Sequence, residues 1–243
     1  EKLFVFGEMN DIWGVDFSPA KSVLFMPDIS SYGILQTLPN IENVDVVSAP
    51  EIVNGTPLYY SREGSNAIFI NYYNTDYGYG TGEHLVAGCK ATVIPDGTRV
   101  IGHGAFSGCT ELKDIHLPNS VRSIASYAFQ NCSNLTNINF PEGLQIIDNY
   151  AFYECTGLTE IIIPSKEVTL RDYAFARCNG LLSATINGEQ IGKESFESCT
   201  SLSTLNIGSD ISAISGESFL RCTALNNITV DAQNATYDSR NAC

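Results

Sequence analysis

The sequence is short of positive charge: 13 Lys and Arg stand against 27 Asp and Glu, a formal net charge of −14 over 243 residues. Nucleic acid and anionic membrane surfaces are held by clustered Lys and Arg, so neither is expected as a partner. Long apolar runs are missing as well. No stretch of about 18 apolar residues occurs, which excludes a transmembrane helix and membrane insertion through one. There are 8 cysteines but no C-x-x-C pair, so the usual zinc-site spacing is absent. Histidine is scarce, and His84, His103 and His116 are scattered along the chain. No G-x-S-x-G, H-E-x-x-H or glycine-rich phosphate loop is found. GHGAF around His103 reads as a turn rather than an oxyanion motif, and SREGS at 61–65 reads as a structural turn. Asp96, Glu111 and Glu142 fall at variable, solvated positions. The expectation is a protein with no catalytic residues, no metal and no cofactor.

What is present is repetition. CTELKDIHLPNSVRSIASYAFQN, from Cys109 to Asn131, is copied by CSNLTNINFPEGLQIIDNYAFYE from Cys132 and by CTGLTEIIIPSKEVTLRDYAFAR from Cys155. Shorter or looser copies begin at Cys178, Cys199 and Cys222. The spacings of these six cysteines are 23, 23, 23, 21 and 23 residues. A fixed period of this size means a solenoid, in which each turn buries its apolar side only against its neighbours.

Within the unit, Leu112, Ile115 and Leu117 alternate with Asp114 and His116, the pattern of a short strand with one face inward. Pro118 ends that strand, because proline has no N–H for a ladder. Val121 and Ile124 return to the core across a second extended or turn segment. A small residue and a phenylalanine then recur, as in Ala128-Phe129, Ala151-Phe152 and Ser195-Phe196. Stacked copies are expected to place parallel strands on one face and a phenylalanine ladder inside.

The motif of a strand ending in apolar-Pro, then I-x-x-x-A-F-x-x-C, resembles the BspA-like group of the leucine-rich repeat superfamily over at least residues 85–243. The resemblance implies a mostly β solenoid of α/β type. Its coil is a right-handed superhelix with parallel strands on one face and short turns or 3-10 segments on the other. It also implies a bacterial surface or secreted protein whose named relatives are adhesins. One solenoid is expected over 1–243, with a cap and degenerate repeats in 1–45, an irregular turn with an insertion in 46–88, and regular repeats in 89–243. Beginning at Glu1 rather than at a methionine, the sequence reads as a processed or trimmed form. Its final segment, aligned with NGTPLYYSREGS, breaks off at Cys243, which invites end-to-end self-association.

Seven cysteines, from Cys89 to Cys222, share one repeat position. Adjacent parallel side chains bridge poorly, so a ladder of buried free thiols meeting backbone groups is expected, with one or more disulfides as the alternative.

Two candidate surfaces follow. The outward strand positions Asp114, His116, Asn137, Asn139, Glu160, Ile162, Thr185 and Asn206 form the face on which leucine-rich repeats usually bind, pointing to a host or extracellular-matrix protein. NYYNTDYGYGTGEH, with Tyr72, Tyr73, Tyr77 and Tyr79 among glycines, reads as a loop or hairpin tip of the composition used for protein and glycan contacts. The functional expectation is a non-catalytic, adhesin-like binding protein. The alternatives are a spacer or assembly module of a longer array, and glycan binding through the tyrosine loop.

Overall fold

The computed structural model describes the backbone of residues 2–5, 22–25, 43–46, 52–53, 56–57, 60–62, 64–72 and 81–239, with side chains for 62, 64–69 and 81–239. Among these residues there is no helix, and the back of each coil is turn rather than 3-10 helix. The mostly β expectation holds.

Three early strands, β1 (Lys2–Val5), β2 (Ser22–Phe25) and β3 (Asn43–Val46), stack in parallel, Lys2 beside Ser22 and Ser22 beside Asn43. Two short strands follow as an antiparallel pair, β4 (Ile52–Val53) with β5 (Thr56–Pro57). Next, β6 (Tyr60–Ser61), β7 (Ala67–Tyr72) and β8 (Gly82–Gly88) form an antiparallel meander. The SREGS turn between β6 and β7 is structural, as expected. Gly64 takes φ +74°, the Ser65 hydroxyl donates to the Arg62 carbonyl, and Arg62 pairs with Glu83 at 2.9 Å.

From Cys109 to Arg221 each turn contributes two strands, and the turns on either side add one each. One series is β9 (Thr98–Ile101), β11 (Ser123–Ile124), β13 (Ile146–Ile147), β15 (Thr169–Leu170), β17 (Gln190–Ile191) and β19 (Ala213–Ile214). These join the meander in a continuous nine-stranded sheet, β8 passing to β9 in parallel. The sequence pattern treated this second segment as a subsidiary return to the core; it is the longer ladder.

The other series is the strand face proper: β10 (Asp114–Ile115), β12 (Asn137–Ile138), β14 (Glu160–Ile163), β16 (Ser183–Ile186), β18 (Thr204–Ile207) and β20 (Asn227–Val230). This face is split. β10 pairs only with β12, and β14, β16, β18 and β20 form a separate four-stranded sheet.

Proline explains the split. In the later turns the residue after each strand closes the ladder: the Asn187 N–H donates to the Ile163 carbonyl at 3.0 Å, Gly208 to Ile186 at 2.8 Å and Asp231 to Ile207 at 2.8 Å. Pro118, Pro141 and Pro164 hold that position in the earlier turns and have no N–H to give. Between β10 and β12 a side chain substitutes. The Asn139 amide accepts from the Leu117 N–H and donates to the Leu117 carbonyl, both at 2.8 Å. The next turn carries Ile162 where an amide would be required, and β12 is left unpaired with β14.

The core is the same throughout. Leu112, Leu117, Val121 and Ile124 are fully buried, and the rings of Phe106, Phe129, Phe152, Phe175, Phe196 and Phe219 stack nearly parallel at 4.8–5.5 Å. The third side of the coil is tied to the next turn by the phenylalanine N–H groups, as from Phe129 to the Ala151 carbonyl at 2.8 Å. It bends sharply enough that Tyr127, Tyr150 and Tyr173 take φ of 57–60°, where the equivalent Gly104 of an earlier turn takes 61°.

Each cysteine thiol reaches the previous turn. Cys132, Cys155, Cys178, Cys199 and Cys222 donate to the carbonyls of Phe106, Phe129, Phe152, Phe175 and Phe196 at 3.0–3.1 Å. The described cysteines, Cys89 to Cys222, are all free thiols.

Candidate functional site

The strand face presents two outward columns, because side chains alternate along each strand and repeat once per turn. Asp114, Asn137 and Glu160 form one; Val93, His116, Asn139 and Ile162 form the other. Where the ladder is interrupted these columns border an open groove of about 930 Å³, with Phe140 and Pro164 also in its lining. Six of the eight strand-face residues expected from sequence line it: Asp114, His116, Asn137, Asn139, Glu160 and Ile162. Thr185 and Asn206 lie beyond it on the continuous sheet, bonded to each other at 3.1 Å.

The groove mixes exposed apolar groups with carboxylates. Four large hydrophobic side chains are exposed among the described residues, and two of them, Val93 at 63% and Ile162 at 53%, are in its lining. Phe140, at a position occupied by Leu, Ile or Val in other turns, is buried and meets Phe152 and Phe175 edge-on at 5.6 and 6.1 Å. Asp114 accepts from the Asn137 amide, and Glu160 accepts from the Ser183 hydroxyl at 3.3 Å. Sequence reasoning listed the columns but not the groove. The signal available was the run of Pro118, Pro141 and Pro164 giving way to Asn187.

The tyrosine loop lies largely outside the described residues. Tyr72 closes β7 in backbone only, and Tyr73, Tyr77 and Tyr79 are not described. A different tyrosine row occupies the turn side. Tyr150 stacks between Tyr127 at 5.1 Å and Tyr173 at 4.7 Å, with His103 edge-on to Tyr127 and Arg177 over Tyr153. Its hydrogen bond to Glu194 pushes the Tyr173 phenol up to about 12.

Nucleophile chemistry finds little support in the thiols. Burial, with the neighbouring Cys89 thiol adding to it, raises Cys109 to about 12, and burial likewise raises Cys132 and Cys155 well above the ordinary thiol value. Such groups remain protonated and shielded. The buried carboxylates are structural: Asp148 pairs with Arg171 at 3.3 Å, and Glu197 with Arg221 at 3.2 Å. His84 is buried on β8, His103 lies on the turn side and His116 on the groove, so the three histidines do not converge. Among the described residues no group of three or more His, Cys, Asp or Glu could hold a metal, and no helix is long and apolar enough to cross a membrane.

The sequence profile of the BspA type Leucine rich repeat region matches the chain in six copies, over residues 86–199 and 170–242. The chain belongs to the BspA-type leucine-rich repeat family. No curated protein matches it. Among solved structures, this BspA-type repeat chain is similar to the pneumococcal vaccine antigen PcpA, with a TM-score of 0.58, 16% identity, and coverage of 88% of this chain and 52% of that one. It is similar to a leucine rich cell surface protein of Faecalibacterium prausnitzii, with a TM-score of 0.56, 20% identity, and coverage of 88% and 52%. The leucine-rich repeat protein of T. pallidum matches with a TM-score of 0.50 and 23% identity, over 59% of this chain and 83% of that one. The chain thus spans about half the length of the first two, and the likeness at these identities is one of fold.

Proposed function

We propose that this BspA-type repeat chain is a non-catalytic, adhesin-like binding protein of the bacterial surface or exterior. It holds a protein of a host or neighbouring cell on the strand face, at the groove bordered by β10, β12 and β14. The observation that carries this reading is the groove itself: about 930 Å³ of open space with exposed Val93 and Ile162 in its lining. Exposed apolar groups concentrated in a concavity are the usual mark of a contact surface. Membership of a family with surface-protein relatives supports the location.

The test is a binding screen against immobilised fibronectin, fibrinogen, other matrix proteins and a glycan array, run beside a Val93→Arg, Ile162→Arg variant. Both positions are exposed, so the variant keeps its fold and its melting temperature. A ligand that only the native protein retains supports the groove. Equal binding by both moves the site elsewhere, and a bound glycan indifferent to both changes favours the loop of Tyr72, Tyr73, Tyr77 and Tyr79.

A further inference from the structure

The strand-face ladder is missing between β12 and β14, and on the turn side the same two turns carry a close pair of tyrosines. Tyr150 follows β12 and β13 in one turn, and Tyr173 follows β14 and β15 in the next. We propose that Tyr150 and Tyr173 form an oxidative cross-linking site, at which a haem peroxidase with hydrogen peroxide joins the two rings as dityrosine and staples these turns together.

The column that carries them reads Gly104, Tyr127, Tyr150, Tyr173, Glu194 and Glu217, one residue per turn. Backbone bonds hold it in register. The Tyr127 N–H donates to the Asn149 carbonyl and the Tyr150 N–H to the Asp172 carbonyl, both at 3.1 Å, and the Tyr173 N–H donates to the Lys193 carbonyl at 3.0 Å. The Tyr150 and Tyr173 rings lie 4.7 Å apart between centroids and 3° from parallel. Tyr127 is farther from Tyr150, at 5.1 Å, and His103 sits edge-on to it at 5.4 Å. Tyr150 and Tyr173 are both half-buried, so an oxidant reaches them and each ring has room to turn about its Cβ–Cγ bond. Two radicals held this close react as an intramolecular pair.

Tyr173 also has a proton acceptor in place, because its phenol donates a hydrogen bond to Glu194. Oxidation of a phenol removes an electron and a proton, and a carboxylate already on the hydroxyl takes the proton. Tyr173 thus gives an electron to the peroxidase and its phenolic proton to Glu194. Tyr150 gives an electron to the peroxidase and a proton to solvent. The two phenoxyl radicals join through their ortho carbons, forming one C–C bond. Each of those carbons then releases its hydrogen as a proton, and each phenolic oxygen takes one up. In sum two ring hydrogens are lost, and the two electrons and two protons reduce one peroxide to two waters.

The thiols compete little for the oxidant. Peroxide attacks thiolates, whereas Cys89, Cys109, Cys132, Cys155, Cys178 and Cys199 are buried, and burial holds Cys109, Cys132 and Cys155 protonated. Nor does a disulfide join any of the described cysteines. A Tyr150–Tyr173 bond therefore adds a covalent tie between two turns that have none and that lack a strand-face ladder.

The test is treatment of the full chain, in dilute solution, with a haem peroxidase and hydrogen peroxide. It is read by dityrosine fluorescence and by mass spectrometry of the tryptic digest. The expected product joins residues 172–177 to residues 123–166 with loss of two hydrogens, in a chain that still runs as a monomer, and tandem spectra place the bond at Tyr150. Tyr150→Phe and Tyr173→Phe keep the ring and hence the melting temperature, and each is expected to abolish this product. Tyr127→Phe and Tyr153→Phe should leave it, and Glu194→Gln should slow it. The cross-linked protein is expected to unfold at a higher urea midpoint, because the tie restricts the unfolded chain. A bond that maps to Tyr127 or Tyr153, a product confined to dimers, or no product at all overturns the proposal. So does an equal yield of the same pair when the chain is digested before treatment, because the fold would then select nothing. An unchanged urea midpoint overturns the stapling.

Discussion

The turns from Cys109 to Pro164 and those from Cys178 to Val230 share one core and differ on the face above it. Both stack phenylalanines at 4.8–5.5 Å and both run a thiol from each cysteine to the carbonyl of the turn before. In the earlier turns the strand ends in proline, the ladder breaks between β12 and β14, and a groove opens. In the later turns Asn187, Gly208 and Asp231 supply the missing N–H, and the four strands from β14 to β20 form a closed, polar sheet. The ladder breaks where a turn has neither the backbone N–H of Asn187, Gly208 or Asp231 nor the side-chain amide of Asn139. Interior packing, which ignores these donors, is unchanged.

The largest expected effect tests the shared part. Phe129→Ala, beneath the broken face, and Phe196→Ala, beneath the closed one, remove fully buried rings of the same ladder. Each should lower stability by about 3–5 kcal/mol in urea denaturation. A cost below about 1 kcal/mol at either position would mean that the two regions do not share one core.

The thiol ladder gives the next effect. Burial raises the Cys109 thiol from 9.0 to about 12, so the folded state holds a proton that the unfolded chain releases at lower pH. Its contribution is fully present below pH 9 and is lost as pH climbs toward 12. The unfolding free energy should fall over that window by as much as about 1.36 kcal/mol per pH unit. Cys109→Ala should show a shallower decline, measured as urea midpoint against pH. An identical slope would remove the thiol from the account.

The smallest effect tests the difference itself. Asn187→Pro takes away the donor to the Ile163 carbonyl and should cost about 1–3 kcal/mol. Pro164→Asn restores an N–H opposite Phe140 and should gain about 1 kcal/mol while weakening any ligand of the groove. Amide hydrogen exchange along β12, β14 and β16 would show whether protection moves with the donor.

Much of this was readable from the chain. The 23-residue period, the inward Leu112, Ile115 and Leu117, the Ala-Phe pair and the buried cysteine position all follow from which side chains can bury, and all were found where expected. The outward columns were readable too, since alternation fixes which residues face solvent. The groove was not, because it depends on three turns at once. Pro164 lacks a donor, Ile162 lacks the amide that Asn139 uses one turn earlier, and Phe140 reaches the ring of the next turn, Phe175. Nor did periodicity reveal that the second segment makes the nine-stranded ladder. In β11 or β13 only two residues per turn are strand, too few for alternation to show.

The sequence by itself therefore determined the solenoid, its period, its core and its two outward columns. Those depend on local apolar pattern and on a repeat that aligns like with like. Only the tertiary structure decided where the strand face closes and where it opens. A ladder bond belongs to two turns at once, and whether it forms depends on the donor of one turn and the acceptor of the turn before.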